Sequence, residues 1–125
     1  MRKTLIVVLC SLAILVLWIS ADLLRASPHD LRRFDAHAVA KLETAMWRSY
    51  YEHRRVAMFA ELADLLRTQY HLPYWRSWAG AWHAARAAVV FERGRQRSDY
   101  RLALPHLVSY YGIVRRGSVV PFDIQ

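Results

Sequence analysis

Carboxylates and histidines are the residues here whose types admit chemistry, and their spacing decides against most of it. Glu43, Glu61 and Asp64 would fall on roughly one side of a continuous helix, since five turns take about eighteen residues. Carboxylates from a helical bundle hold paired metal ions when two of its helices each add a Glu-x-x-His pair. Three places after Glu43, Glu52, Glu61 and Glu92 stand Met46, Arg55, Asp64 and Arg95, so that pair is missing. On one helix Glu43 and Glu61 would also be about 27 Å apart, too far to share an ion. Arg48 and Arg55 lie within a turn of Glu52, and Arg67 within a turn of Asp64, so surface ion pairing accounts for these acids.

The histidines fare no better. His29, His37, His53, His71, His83 and His106 contain no His-x-His or His-x-x-x-His pair, so the sequence signals no converging zinc or copper ligands. Cys10 is the single cysteine and sits in an apolar run, which rules out an intramolecular disulfide. No serine occupies a Gly-x-Ser-x-Gly turn, and Arg93-Gly94-Arg95 is too short for a phosphate loop. No catalytic residue, metal or other cofactor is expected.

Three clusters remain. Glu43, Trp47, Tyr50, Arg54 and Glu61 are read as a structural polar cluster, an Arg–carboxylate contact shielded by rings. Trp75, Trp78 and Trp82, spaced i, i+3, i+7, line one helical face among Ala79, Gly80, Ala81, Ala84 and Ala85. Large rings opposite small residues read first as core filling. What remains exposed, with Arg86, reads as a partner-binding surface, because Trp and Arg dominate hot spots. Arg93, Arg95, Arg97 and Arg101 form the sharpest basic spot, suited to an anionic lipid or an acidic partner. From 26 to 66 six basic and six acidic residues cancel, whereas from Arg67 onward nine Arg face only Glu92, Asp99 and Asp123. Nucleic acid is disfavoured as a partner, since no recognised binding motif accompanies the charge.

The elements that must position these clusters follow from the rest of the chain. Of its 125 residues 55% are hydrophobic, and 18 Lys+Arg against 10 Asp+Glu leave a net charge of +8. That excludes a disordered chain and allows one small domain. Met1-Arg2-Lys3 precede an uncharged run, Thr4 to Ala21, which as a helix reaches about 27 Å, enough for a hydrocarbon core. Residues 1–25 are read as an uncleaved membrane anchor, in preference to a signal peptide, because Ile19-Ser20-Ala21 is a poor cleavage site. The short basic tail favours an extracytoplasmic domain, although Arg25, Arg32 and Arg33 pull the other way.

Residues 26–125 are expected to be an Arg- and aromatic-rich helical domain. Ser27 to Asp30 offer helix-start chemistry. From Leu31 to Tyr70 neither Pro nor Gly occurs, predicting one long helix, or one with a break, because about 60 Å is long for a small domain. Pro73 opens a second helix that Gly94 stops. Ser98-Asp99 cap a third, to about Arg116, interrupted at Pro105, and Ser118 to Phe122 could be extended. The fold class is all-α: a transmembrane helix followed by a small bundle of about three helices, the first long. The ending Pro121-Phe122-Asp123 echoes Arg33-Phe34-Asp35. A frayed terminus is the expectation, with a further helix beyond the chain as the alternative.

The function expected is a single-pass, membrane-anchored, non-enzymatic interaction or accessory subunit, with a protein partner or a second copy as its contact. The alternatives are a bundle metal protein or enzyme completed by other chains, and a peripheral binder of anionic lipid.

Overall fold

A computed structural model describes residues 2–25 and 28–124. It is all-helical: α1 (Arg2–Leu24), α2 (Ala36–Tyr51), α3 (Arg55–Thr68), α4 (Tyr74–Arg93), α5 (Arg97–Tyr100), a 3-10 turn (Arg101–Ala103) and α6 (Leu104–Arg116). Helix α1 is long and apolar enough to cross a bilayer, with a mean hydropathy of 2.7 and none of that apolar window buried by the rest of the molecule. Ser27 lies outside the described residues.

The bundle's first helix begins later than the sequence suggests. Asp35, rather than Asp30, is the N-cap of α2, its carboxylate accepting from the backbone N–H of His37 and Ala38 at 2.9 and 3.1 Å. Asp30 instead accepts from the Arg32 backbone and guanidinium, which holds a turn before the helix.

The long helix is broken. Between α2 and α3, His53 adopts φ 57°, a left-handed conformation that reverses the chain. The N–H of His53 donates to the Tyr50 carbonyl, and that of Arg54 to Ser49. Helices α2 and α3 therefore pack side by side, and the Asp35 N–H reaches Gln69 Oε1 at the far end of the hairpin.

The second helix starts after Pro73 and stops at Gly94, where the sequence places it. The third is divided. Asp99 reaches back from the first turn of α5 to the N–H groups of Arg95 and Gln96, so it serves α5 rather than a continuous helix. Pro105 sits in the first turn of α6, where its missing N–H costs nothing.

Met58, Leu62 and Leu66 of α3 meet Ala81 of α4 and Ile113 and Val114 of α6 in the core. Helix α4 is the hub and touches α1, α3, α5 and α6. Its small-residue side faces inward, with Ser77, Gly80, Ala81 and Ala87 buried, while Trp78 and Trp82 stay exposed. The expectation that the tryptophans fill the core is thus reversed. Close approach is the reason: a Cβ on Gly80 would lie 2.9 Å from Leu66 Cδ1, and rings on that side could not fit.

Candidate functional site

The first arrangement joins α1 to α4. The Asp22 carboxylate accepts from the backbone N–H of Trp75, in the first turn of α4, where free N–H groups and the helix dipole favour an anion. Reciprocally, Arg76 donates through Nη2 to the carbonyls of Leu23 and Arg25, at 2.7 and 2.6 Å. These are carbonyls that a helix end leaves without intrahelical partners. Each helix thus caps the other. Arg76 is only 4% exposed. Burial pulls its guanidinium below the usual arginine range, Arg116 adds to this, and Asp22 opposes it.

Rings seal the joint. Trp18 of α1 stacks on Tyr74 at 5.8 Å and meets Trp75 edge-on at 5.3 Å. Trp78 lies 5.7 Å from Tyr74 and meets Phe59 of α3 edge-on at 5.4 Å. Of the three tryptophans read as a partner-binding face, Trp75 therefore belongs to the joint and Trp78 bridges to α3. Trp82 is 55% exposed, with the Arg86 guanidinium 5.7 Å from its ring centroid.

The second arrangement is a groove between α3 and α4, with a cavity volume of about 400 Å³. Val56, Met58, Phe59, Trp82, Ala85 and Val89 make its walls, and Arg55, Arg86 and Arg93 line it as well. Arg86, Val89 and Arg93 also border a neighbouring recess lined by Asp99 and Leu102 as well. Of these arginines Glu92 pairs with Arg55, and no ion pair joins it to Arg86 or Arg93 among the described residues. Its Oε1 lies 2.8 Å from His53 Nδ1 and 3.5 Å from Arg55, so it ties the α2–α3 turn to α4.

The polar cluster is divided. Arg54 pairs with Glu52 at 2.8 Å, because the chain reversal carries it past the end of α2 and away from Glu43. Glu43 lies near Tyr70 and Val114, lining a separate hollow. Burial, above all, pushes the Tyr70 and Tyr110 phenols up, and Glu43 contributes at both. Glu61 accepts from the buried Ser49 hydroxyl at 3.1 Å, a link between α2 and α3. Trp47 and Tyr50 meet each other edge-on at 5.7 Å. Arg95, Arg97 and Arg101 project around α5 as exposed side chains, and Arg93 alone of the basic spot reaches the groove.

The chain matches no known protein family, no curated protein and no solved structure. Among the described residues, no three His, Cys, Asp or Glu converge in a way that could hold a metal ion.

Three features escaped the sequence reading. The joint links residues more than fifty positions apart, with no local signal. The groove draws Arg55 and Val56 from a helix whose register depends on the His53 turn. On α6, Leu104, Val108 and Tyr111 are 54%, 56% and 47% exposed. Their i, i+4, i+7 spacing, a stripe of the kind a helix usually buries, is the signal that could have found them.

Proposed function

We propose that the chain is a single-pass membrane protein whose helical domain, extracytoplasmic in our reading, is a non-enzymatic accessory subunit for a protein partner. The observation that carries this is the reciprocal capping of α1 and α4. It supports reading α1 as a continuation of the domain, which an uncleaved anchor requires and a removed leader does not. Trp18, Tyr74 and Trp75 lie where α1 ends, and rings of this kind gather at the headgroup level.

Contact with the partner falls to side chains left uncovered. Leu102, Leu104, Val108 and Tyr111 are exposed at and after the 3-10 turn. Arg95, Arg97 and Arg101 are exposed beside them. On α4, Arg86 lines a recess with Leu102, and Trp82 is exposed one turn before it. Exposed apolar side chains with cations near them fit a partner with an apolar patch and acidic rim.

The test is membrane extraction and photo-crosslinking of the full chain in cells. A crosslinking residue placed at 82, 104 or 108 is expected to give one discrete protein adduct, the same from all three positions. The chain should also resist alkaline extraction at full length. A chain released by alkali, or shortened by its first twenty-one residues, overturns the anchored reading. Absence of an adduct from every position overturns the partner.

A further inference from the structure

We propose that the groove between α3 and α4 holds one hydrocarbon chain of an anionic phospholipid from the bilayer, with the phosphate at Arg86 and Arg93. This rests on the anchored reading above and adds a ligand to it.

Three observations converge. The walls are apolar, from Val56, Met58, Phe59, Trp82, Ala85 and Val89, as a hydrocarbon chain requires. Val56 is 84% exposed at the rim, an apolar side chain with no internal cover. The volume, about 400 Å³, lies at the small end of ligand sites, so one chain rather than a whole lipid is enclosed.

Charge selects the headgroup. Arg86 and Arg93 stand two turns apart on the same face of α4 and line both the groove and the adjoining recess. The acid nearest them in sequence, Glu92, is engaged by His53 and Arg55, and Asp99 is occupied by backbone N–H groups. Asp99 borders the recess but not the groove, whose lining joins Arg55 to these two arginines and includes no carboxylate. An anion on the groove side therefore meets cations first, and arginine suits phosphate by its fork of donors.

A path leads from the bilayer to the groove. Trp18, near the end of the apolar helix, touches Tyr74 and Trp75. Tyr74 and Trp75 lie against Trp78, and Trp78 lies against Phe59, a wall of the groove. Rings thus cover the whole way with apolar surface. Along α4, Trp75 to Arg86 is about 16 Å and to Arg93 about 27 Å, distances one extended chain can follow. The tail then points toward the joint and the head away from it. A protein segment would need none of this continuity with the span.

The experiment uses the full chain in vesicles of phosphatidylcholine containing either phosphatidylglycerol or more phosphatidylcholine, with a photoreactive group on one acyl chain. Peptide mapping is expected to place the phosphatidylglycerol adduct on residues 56–59 and 82–89. R86Q/R93Q should lower that adduct roughly 30-fold, as the loss of two arginines beside an anion implies, while leaving adducts on α1 unchanged. Val89→Trp, which fills the groove but keeps both charges, should abolish the groove adduct for both lipids. Equal labelling by the two lipids, adducts confined to α1, or indifference to R86Q/R93Q each overturns the proposal. So does a protein adduct from position 56 that excludes the lipid, which would assign the groove to the partner. Labelling of α1 itself reports insertion, so failure of the anchored reading and failure of the lipid site give different results.

Discussion

Arg76 of α4 closes the end of α1 by donating to the carbonyls of Leu23 and Arg25. A buried guanidinium is costly to desolvate, and only its acceptors offset that cost. Charge-assisted hydrogen bonds of this kind contribute roughly 1.5–3 kcal/mol each. Arg76→Ala is expected to lower stability by about 2–4 kcal/mol, through lost caps and an unfilled site. Arg76→Met, which also removes the charge, should cost less. Denaturant unfolding in micelles measures both, and hydrogen exchange at 22–25 and 74–77 should rise in each variant. A loss confined to global stability, with unchanged exchange at the joint, would contradict the capping role.

Ser49 and Glu61 form a second polar contact, between α2 and α3. The Ser49 hydroxyl is fully buried and donates to Glu61 at 3.1 Å. Ser49→Ala should cost about 1–3 kcal/mol, because it strips a donor from a half-buried carboxylate. In an E61M background the same change should cost much less. A double-mutant cycle reads the difference, and strict additivity would sink the claim.

Two glycines in helices should respond with opposite sign. Gly80→Ala puts a methyl 2.9 Å from Leu66 Cδ1 and 3.7 Å from Ile113, so overpacking should exceed the gain in helix propensity and cost about 1 kcal/mol net. At Gly112 an added Cβ meets nothing within 4 Å among the described residues. Gly112→Ala should stabilise by about 0.5–1 kcal/mol from propensity alone. Thermal melts of the two variants on either side of the parent settle the point.

His83 and His106 bring their Nδ1 atoms to 3.4 Å across α4 and α6. Burial, and then His106, lower the His83 pKa from its ordinary value of 6.5. The folded chain therefore binds a proton at this ring less readily than the unfolded chain does. Stability from this ring is fully present above about pH 6.5 and declines as the pH falls below it. Melting temperature followed from pH 8 to 5 should drop more steeply for the parent than for His83→Gln. Parallel curves would show that the pair has no such effect.

The stripe on α6 separates folding from contact. Val108→Glu changes a 56% exposed side chain and should shift stability by less than about 0.5 kcal/mol. The protein adduct from position 82 or 104 should nevertheless disappear. Loss of folding instead would show that the stripe is structural.

Much of the fold was legible because it is written locally. Pro73 and Gly94 bracket α4 in both sequence and structure, since each restricts the backbone where it stands. The apolar run could hardly be other than α1. The length of the 31–70 stretch pointed to a break, but its place at 52–54 was not legible. Neither Pro nor Gly marks it, and His53 holds its left-handed φ opposite Glu92, thirty-nine residues away. Propensity would continue the helix, and tertiary contacts overrule it. That reversal is also why Arg54 pairs with Glu52 and not Glu43. For the tryptophans the pattern identified a face correctly and its surroundings wrongly. Helical period says which side chains share a side, but not which side the neighbours take, and here the alanine side won by allowing closer packing.

Two ties bring distant parts of the chain to the end of α1 and the segment just after it. One is the joint at Trp75 and Arg76. The other is a short parallel bridge: the His29 N–H donates to the Gly117 carbonyl and the His29 carbonyl accepts from Val119. A pull transmitted along α1 would therefore load α4 at its first turn and α6 beyond its last, on either side of the core. The α2–α3 hairpin lies off that line and is spared. Mechanically the domain behaves as a clamp gripping α1, so a force along that helix would meet both ties before it reached α2.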